Sequence, residues 1–247
     1  MGLSVGARTV TDVHVGSTPV NAVYRGSSLL WTRAEWQPPA SDLANTCDGP
    51  EGVAVTTANS AAGGDPWQAI SGWTYAAEGM TCEAVSQIAS FQWDATGETS
   101  PAVPDVRQSA GFWLRIDTLN AGPGRLHDHR NASNNVTYGG VELRPSGAVR
   151  ALAGTTTIPE SESAPLPVGG RFWISYGIDN SASGSHTLIV QDPAGATIHQ
   201  WTAALTGTGD QIVFRRFGKV TTSAAGLWVG GVAASSGTAT GLPLEPP

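Results

Sequence analysis

Phe112-Trp113-Leu114-Arg115-Ile116-Asp117 alternates in side-chain character from one residue to the next. In an extended chain successive side chains point to opposite faces, so Phe112, Leu114 and Ile116 share one face and Trp113, Arg115 and Asp117 the other. That pattern belongs to a strand with one face on a core and the other turned to a partly polar surface. Working outward, strand-like runs occur at residues 53–57, 84–93, 111–117, 138–144, 148–153, 171–179, 186–191, 197–203, 211–217 and 226–233. Turn clusters rich in Gly, Asn and Asp separate them at intervals of roughly 8 to 15 residues, and no run holds a helical period. Pro145-Ser146-Gly147 and Asp192-Pro193-Ala194-Gly195 each lie between two such runs and mark hairpin turns. This many short strands predicts an all-β chain, with residues 46–247 folded as a two-sheet sandwich.

Composition narrows the possible roles. The 247 residues are 40% apolar and 13% charged, with 31 Gly and 16 Pro, as suits an ordered chain dense in turns. A formal net charge of -7 argues against a nucleic-acid partner, which would need a basic stripe to displace counterions. No apolar run is long enough to span a bilayer, so no membrane insertion is expected. Met1-Gly2-Leu3-Ser4-Val5-Gly6 has neither an export signal nor the Ser or Thr of a myristoylation site, and the chain reads as unexported. Its basic residues are Arg except for Lys219, a bias that fits a GC-rich genome.

The first 33 residues form a separate pattern. Val13-His14-Val15-Gly16-Ser17-Thr18-Pro19-Val20 is repeated ten residues later by Val23-Tyr24-Arg25-Gly26-Ser27-Ser28-Leu29-Leu30, and the second copy ends at Trp31. Each copy reads as a strand, a Gly-Ser turn and a strand. A segment this short cannot bury its own apolar face. Val13, Val15, Val20, Val23, Leu29 and Trp31 are therefore candidate docking residues, against the chain's own downstream domain or against another subunit. Residues 34–45, with Pro38-Pro39, read as a linker.

Three further stretches carry a family likeness. Gly140-Val141-Glu142-Leu143-Arg144-Pro145-Ser146-Gly147, Leu166-Pro167-Val168-Gly169-Gly170-Arg171-Phe172-Trp173-Ile174 and Thr187-Leu188-Ile189-Val190-Gln191-Asp192 together resemble the concanavalin-A-like, laminin-G-like jelly-roll sandwich. Joined to the head from Val13 to Trp31 and to Asp48-Gly49-Pro50-Glu51-Gly52-Val53-Ala54-Val55-Thr56-Thr57-Ala58-Asn59-Ser60, the chain is similar to minor tail proteins of siphophages infecting actinobacteria. The resemblance implies a structural virion protein at or near the phage tail tip, made in the bacterial cytoplasm. It would be anchored by its N-terminal hairpins to other tail proteins, as a homo-oligomer for which a trimer suits tail symmetry. Its lectin-like sandwich would reach host cell-wall polysaccharide. Trp228-Val229 is followed by Gly230-Gly231, where many similar sandwiches carry an acidic pair, which speaks against calcium there. A polysaccharide-degrading enzyme and a free carbohydrate-binding lectin are the alternatives.

Side chains that could do chemistry are few. Glu160-Ser161-Glu162 is the one Glu-x-Glu, set in a Pro-flanked loop with no third acid, and no Gly-x-Ser-x-Gly elbow exists, so the expectation is a chain that is not an enzyme. His127-Asp128-His129, if extended, sends both imidazoles to one face about 7 Å apart, short of a metal site without a third ligand. No metal and no cofactor is expected. The polar stretch from His127 through Asn131, Asn134 and Asn135 reads instead as a strand or loop tip. Trp113, His127, His129, Asn131, Asn134 and Asn135 are the candidate glycan-binding residues, because a sugar offers hydroxyls to amides and an apolar face to an aromatic ring. Cys47 and Cys82 are either a disulfide or two buried thiols. Arg215-Arg216 is too small for a phosphate track and fits a surface or interface ion pair.

Overall fold

A computed structural model describes strands within residues 4–32, and then residues 41–94, 105–239 and 241. The chain divides into two units, Met1–Gln37 and Pro38–Pro246. In the first, six short strands make three antiparallel hairpins: β1 (Ser4–Val5) with β2 (Arg8–Thr9), β3 (His14–Val15) with β4 (Thr18–Pro19), and β5 (Ala22–Arg25) with β6 (Ser28–Thr32). The last two are the copies of the sequence repeat, and Val15 faces Thr18, Val23 faces Trp31 and Tyr24 faces Leu29 across them. Val13 and Val20 lie outside the described residues.

The second unit is an all-β sandwich of the jelly-roll type. Its strands are β7 (Leu43–Asn45), β8 (Ala69–Ile70), β9 (Thr74–Ala76), β10 (Gly79–Cys82), β11 (Gln87–Asp94), β12 (Arg107–Thr118), β13 (Gly124–Arg130), β14 (Thr137–Leu143), β15 (Val149–Ala153), β16 (Thr156–Thr157), β17 (Arg171–Asp179), β18 (Gly184–Gln191), β19 (Thr197–Leu205), β20 (Phe214–Ser223) and β21 (Gly226–Ser236). One sheet runs β19-β18-β17-β12-β21-β10-β9, with β7 added along β21. The other runs β16-β15-β14-β13-β20-β11-β8. Every ladder between these strands is antiparallel.

The alternation at residues 112–117 does what it predicts. Phe112, Leu114 and Ile116 are buried in the core, while Arg115 and Asp117 lie outside and pair with each other at 2.6 Å. Ile174, Tyr176 and Ile178 of β17 and Leu227, Val229 and Val232 of β21 extend the same inner face. The second sheet answers with Phe91, Trp93, Leu126, Val141, Val149 and Phe217. Phe217 sits at the centre of an aromatic cluster, stacked on Phe91 at 5.4 Å and edge-on to Phe112 at 5.8 Å. Such pairs add specific geometry to burial of large apolar area.

Three expectations change. Leu43–Asn45, within the stretch read as linker, is a strand of the sandwich: it pairs with Ala234, Ala233 and Val232, and Leu43 is buried. The Asn45 amide also holds the Ser60 and Asp65 carbonyls. Residues 53–57 form no strand beyond an isolated bridge at Ala54, because Asn59 and Thr56 side chains close a local turn there. β13, read as a polar strand or loop tip, is a central strand whose histidines are buried. Of the two readings left open for Cys47 and Cys82, the structure has the second: both are free, buried thiols and form no disulfide. Burial raises the pKa of both, which keeps them protonated and inert.

Candidate glycan-binding face

The polar chemistry gathers on the outer face of the seven-stranded sheet. A register shift between Arg125 and His127 in β13 places Arg125, Asp128 and Arg130 outward and His127 and His129 inward. Asp128 lies opposite Arg216 of β20 and Gly140 of β14. Its carboxylate, fully shielded, takes two parallel hydrogen bonds from Arg216, Nε to Oδ1 at 2.8 Å and Nη2 to Oδ2 at 2.7 Å. Arg125 Nη1 donates to Oδ2 at 3.1 Å, and Arg130 Nε stands 3.8 Å from the same oxygen. Burial pushes the Asp128 carboxyl up, but the hydrogen bonds and charge of Arg216, then Arg125, outweigh it and hold the carboxyl below its ordinary value. Three guanidiniums thus surround one carboxylate.

Beside this cluster Glu142 takes 2.8 and 2.9 Å contacts from Arg150, and Glu162 lies 3.3 Å from Arg144. Glu162, the second acid of the Glu-x-Glu pair, therefore serves an ion-pair network. Thr137 links the arginines to a groove at the end of the sheet, since it accepts from Arg125 Nη1 at 3.2 Å and lines the groove. The groove, about 420 Å³, is also lined by Asn131, Tyr138, Asn180, Thr208 and Asp210. Tyr138 Oη donates to Asp210 Oδ2 at 3.2 Å and Thr208 Oγ1 donates to it at 2.7 Å. Burial, then the Asp210 charge, raises the Tyr138 pKa, so the phenol stays a neutral donor. Tyr138 itself belongs to the buried core, so what the groove offers is the Asn131 amide, the Thr208 hydroxyl and the Asp210 carboxylate, groups that can bond the hydroxyls of a sugar.

The sequence-predicted glycan residues are not brought together. Asn131 lines the groove, and its side chain also ties its own loop to Asn135 and Val136. Asn134, at φ 53°, accepts from Arg130 at 2.9 Å, and Asn135 is exposed. Trp113 lies on the other sheet, edge-on to Trp173 at 5.7 Å, and is no platform for the Asn-rich loop. His127 and His129 are fully buried between the sheets, so neither touches a glycan. Their Nε2 atoms meet at 3.2 Å, closer than the strand rise alone gives, because the rings lean together in the core. His127 Nδ1 faces the Arg216 carbonyl at 2.8 Å and must donate, which leaves Nε2 to accept from His129. Burial lowers the His127 pKa to about 4 and, with the His127 charge, lowers that of His129 well below its ordinary value. Arg216 forms the ion pair expected of it, but Arg215 is buried and bonded to Gln108 and Ser236. Arg125 escaped sequence reading because only the bulge brings it to the face of Asp128 and Arg130; simple alternation would set it with the histidines.

No family model and no curated protein sequence matches the chain. Among solved structures it is similar to alginate lyase Aly36B in complex with alginate tetrasaccharide, with 10% identity, a TM-score of 0.53, and coverage of 85% of this chain and 100% of that one. The likeness is one of fold. It is also similar to Trypanosoma rangeli sialidase, at 14% identity and a TM-score of 0.53 over 78% of this chain. A further complex of that sialidase matches at 13% identity and a TM-score of 0.53 over 92% of this chain. The chain spans about a third of the sialidase's length, 31% and 34% in the two matches. These likenesses correct the expectation that the chain is not an enzyme: the sandwich is of a kind that in Aly36B makes up a whole matched lyase chain, so the lack of a Glu-based cleft argues nothing against activity.

Proposed function

We propose that this chain is a phage minor tail protein, mounted at or near the tail tip through its N-terminal hairpins, whose sandwich engages host cell-envelope polysaccharide. The observation that carries the proposal is the pairing of two units: a repeated Gly-Ser hairpin module in residues 1–37, and a sandwich with a sugar-sized groove, apolar in part and edged by polar side chains, beside an arginine-rich sheet face. The hairpins are too small to bury an apolar face by themselves, which suits docking on other tail subunits. A homo-oligomer, a trimer by tail symmetry, would present several grooves at once and gain avidity from that arrangement. The location that follows is the virion.

Binding of the labelled full chain to intact actinobacterial cells tests the proposal. Saturable binding, competed by purified envelope polysaccharide and weakened by Asp210→Ala, is the expected result. Absence of binding by folded protein would overturn it. The likeness to alginate lyase favours a second reading, cleavage of the polymer on the same face. Release of shortened products from the polysaccharide during the same incubation would support that reading.

A further inference from the structure

We infer that the outer face around Asp128 is an anion site that takes a carboxylate of an acidic polysaccharide, so that the glycan engaged by this chain is a uronate-containing polymer. The inference rests on the proposed glycan-binding role and adds the chemical class of the ligand.

The argument begins with charge. The chain carries a net charge of -7, yet this face sets the guanidiniums of Arg125, Arg130, Arg144, Arg150 and Arg216 against only three carboxylates, those of Asp128, Glu142 and Glu162. The excess is concentrated at Asp128, where one carboxylate faces three arginines. Arg216 is committed to it through both hydrogen bonds of its fork. Arg125 and Arg130 are not: each is held through Nη1, Arg125 to Asp128 and Thr137 and Arg130 to the Asn134 carbonyl and side chain, which leaves the Nη2 of each without a hydrogen-bond partner among the described residues. An incoming acceptor can complete those free N–H groups, and a carboxylate does so with charge-assisted hydrogen bonds.

Geometry favours a carboxylate as that acceptor. Asp128 already shows that a planar carboxylate fits this surface and takes a bidentate contact, and guanidinium forks match carboxylates in this way. Thr137 joins the arginines to the groove lined by Asn131, Tyr138 and Asp210. A chain of sugars lying along the face would place one residue in the groove and the carboxylate of another over Arg125 and Arg130.

Calorimetric titration of the full chain with a glucuronate hexasaccharide, its carboxyl-reduced neutral counterpart, and poly(glycerol phosphate) tests the site. The expected result is salt-sensitive binding of the glucuronate oligomer, with the neutral oligomer at least about tenfold weaker. Arg125→Gln with Arg130→Gln should weaken the acidic oligomer by at least about tenfold and leave the neutral one unchanged, while Arg216 continues to hold Asp128. Should that variant fail to fold, the comparison of acidic and neutral oligomers on the unaltered chain decides alone. Equal affinity for both, binding of the phosphate polymer only, or no binding of the glucuronate oligomer would each overturn the carboxylate assignment. Retained binding to intact cells in those cases would leave the adhesion proposal standing, so the two failures are distinguishable.

Discussion

Asp128 is a shielded carboxylate whose environment is almost entirely arginine. Asp128→Asn would leave three guanidiniums without their shared anion, and removing one partner of a buried ion pair costs about 3 kcal/mol or more. A matching drop in the urea midpoint at neutral pH checks this. Because the folded carboxyl is held below its ordinary value, its contribution is complete above about pH 4 and is lost as pH falls through the lowered value. The core histidines act in a different window. His127 and His186 are lowered to about 4 by burial, and His129 is also held well below its ordinary value, so the folded protein binds fewer protons than the unfolded chain below about pH 6.5. Stability is therefore greatest above that pH and falls as pH drops toward 4, at roughly 1.4 kcal/mol per pH unit for each histidine. Urea unfolding at pH 7 and pH 5 should show the loss, and His127→Gln with His129→Gln should remove the larger part of the slope.

Among elements, β20 and β7 show where local rules bend to packing. Gly218, inside β20, sits at φ 87°, and a Cβ there would meet Trp73 and the Ala89 carbonyl. Gly218→Ala combines left-handed strain with overpacking and should cost about 2 kcal/mol, read as a lower denaturation midpoint with an unchanged far-UV spectrum. β7 is only three residues long, yet it seats Leu43 in the core and lets Asn45 hold the chain around Ser60 and Asp65. A fragment beginning at residue 38 should match the full sandwich in stability, whereas one beginning at residue 46 should lose about 3 kcal/mol, the scale of a deleted core leucine. Paired thermal melts of the two fragments make the comparison.

At the scale of the whole molecule, the two units divide the work of the proposed function. Deleting residues 1–33 should leave a folded sandwich that still binds cells and does not enter phage particles; immunoblots of purified virions read the outcome. Normal incorporation of the shortened chain would remove the anchoring role from the hairpins. The acidic balance of the chain as a whole hides a locally cationic face, so salt dependence of cell binding belongs to that face rather than to the net charge.

The alternation at Phe112–Ile116 and the turn residues at Gly147 and Gly195 were enough, by themselves, to determine an all-β sandwich, because period-two burial and positive-φ turns are local properties. The hairpin repeat was equally open to reading, since its pairing spans only a few residues. What the fold alone decided was the destination of the His-Asp-His stretch. A polar run reads as surface until Arg216, 88 residues away, neutralises Asp128 and the opposite sheet covers the imidazoles. The candidate site is likewise a product of register: Arg125, Arg130 and Arg216 are distant in sequence or set off by a bulge, and meet around Asp128 only because β13 and β20 pair as they do. Long-range pairing of charges leaves no periodic trace in a sequence, and for that reason it was left to the tertiary structure.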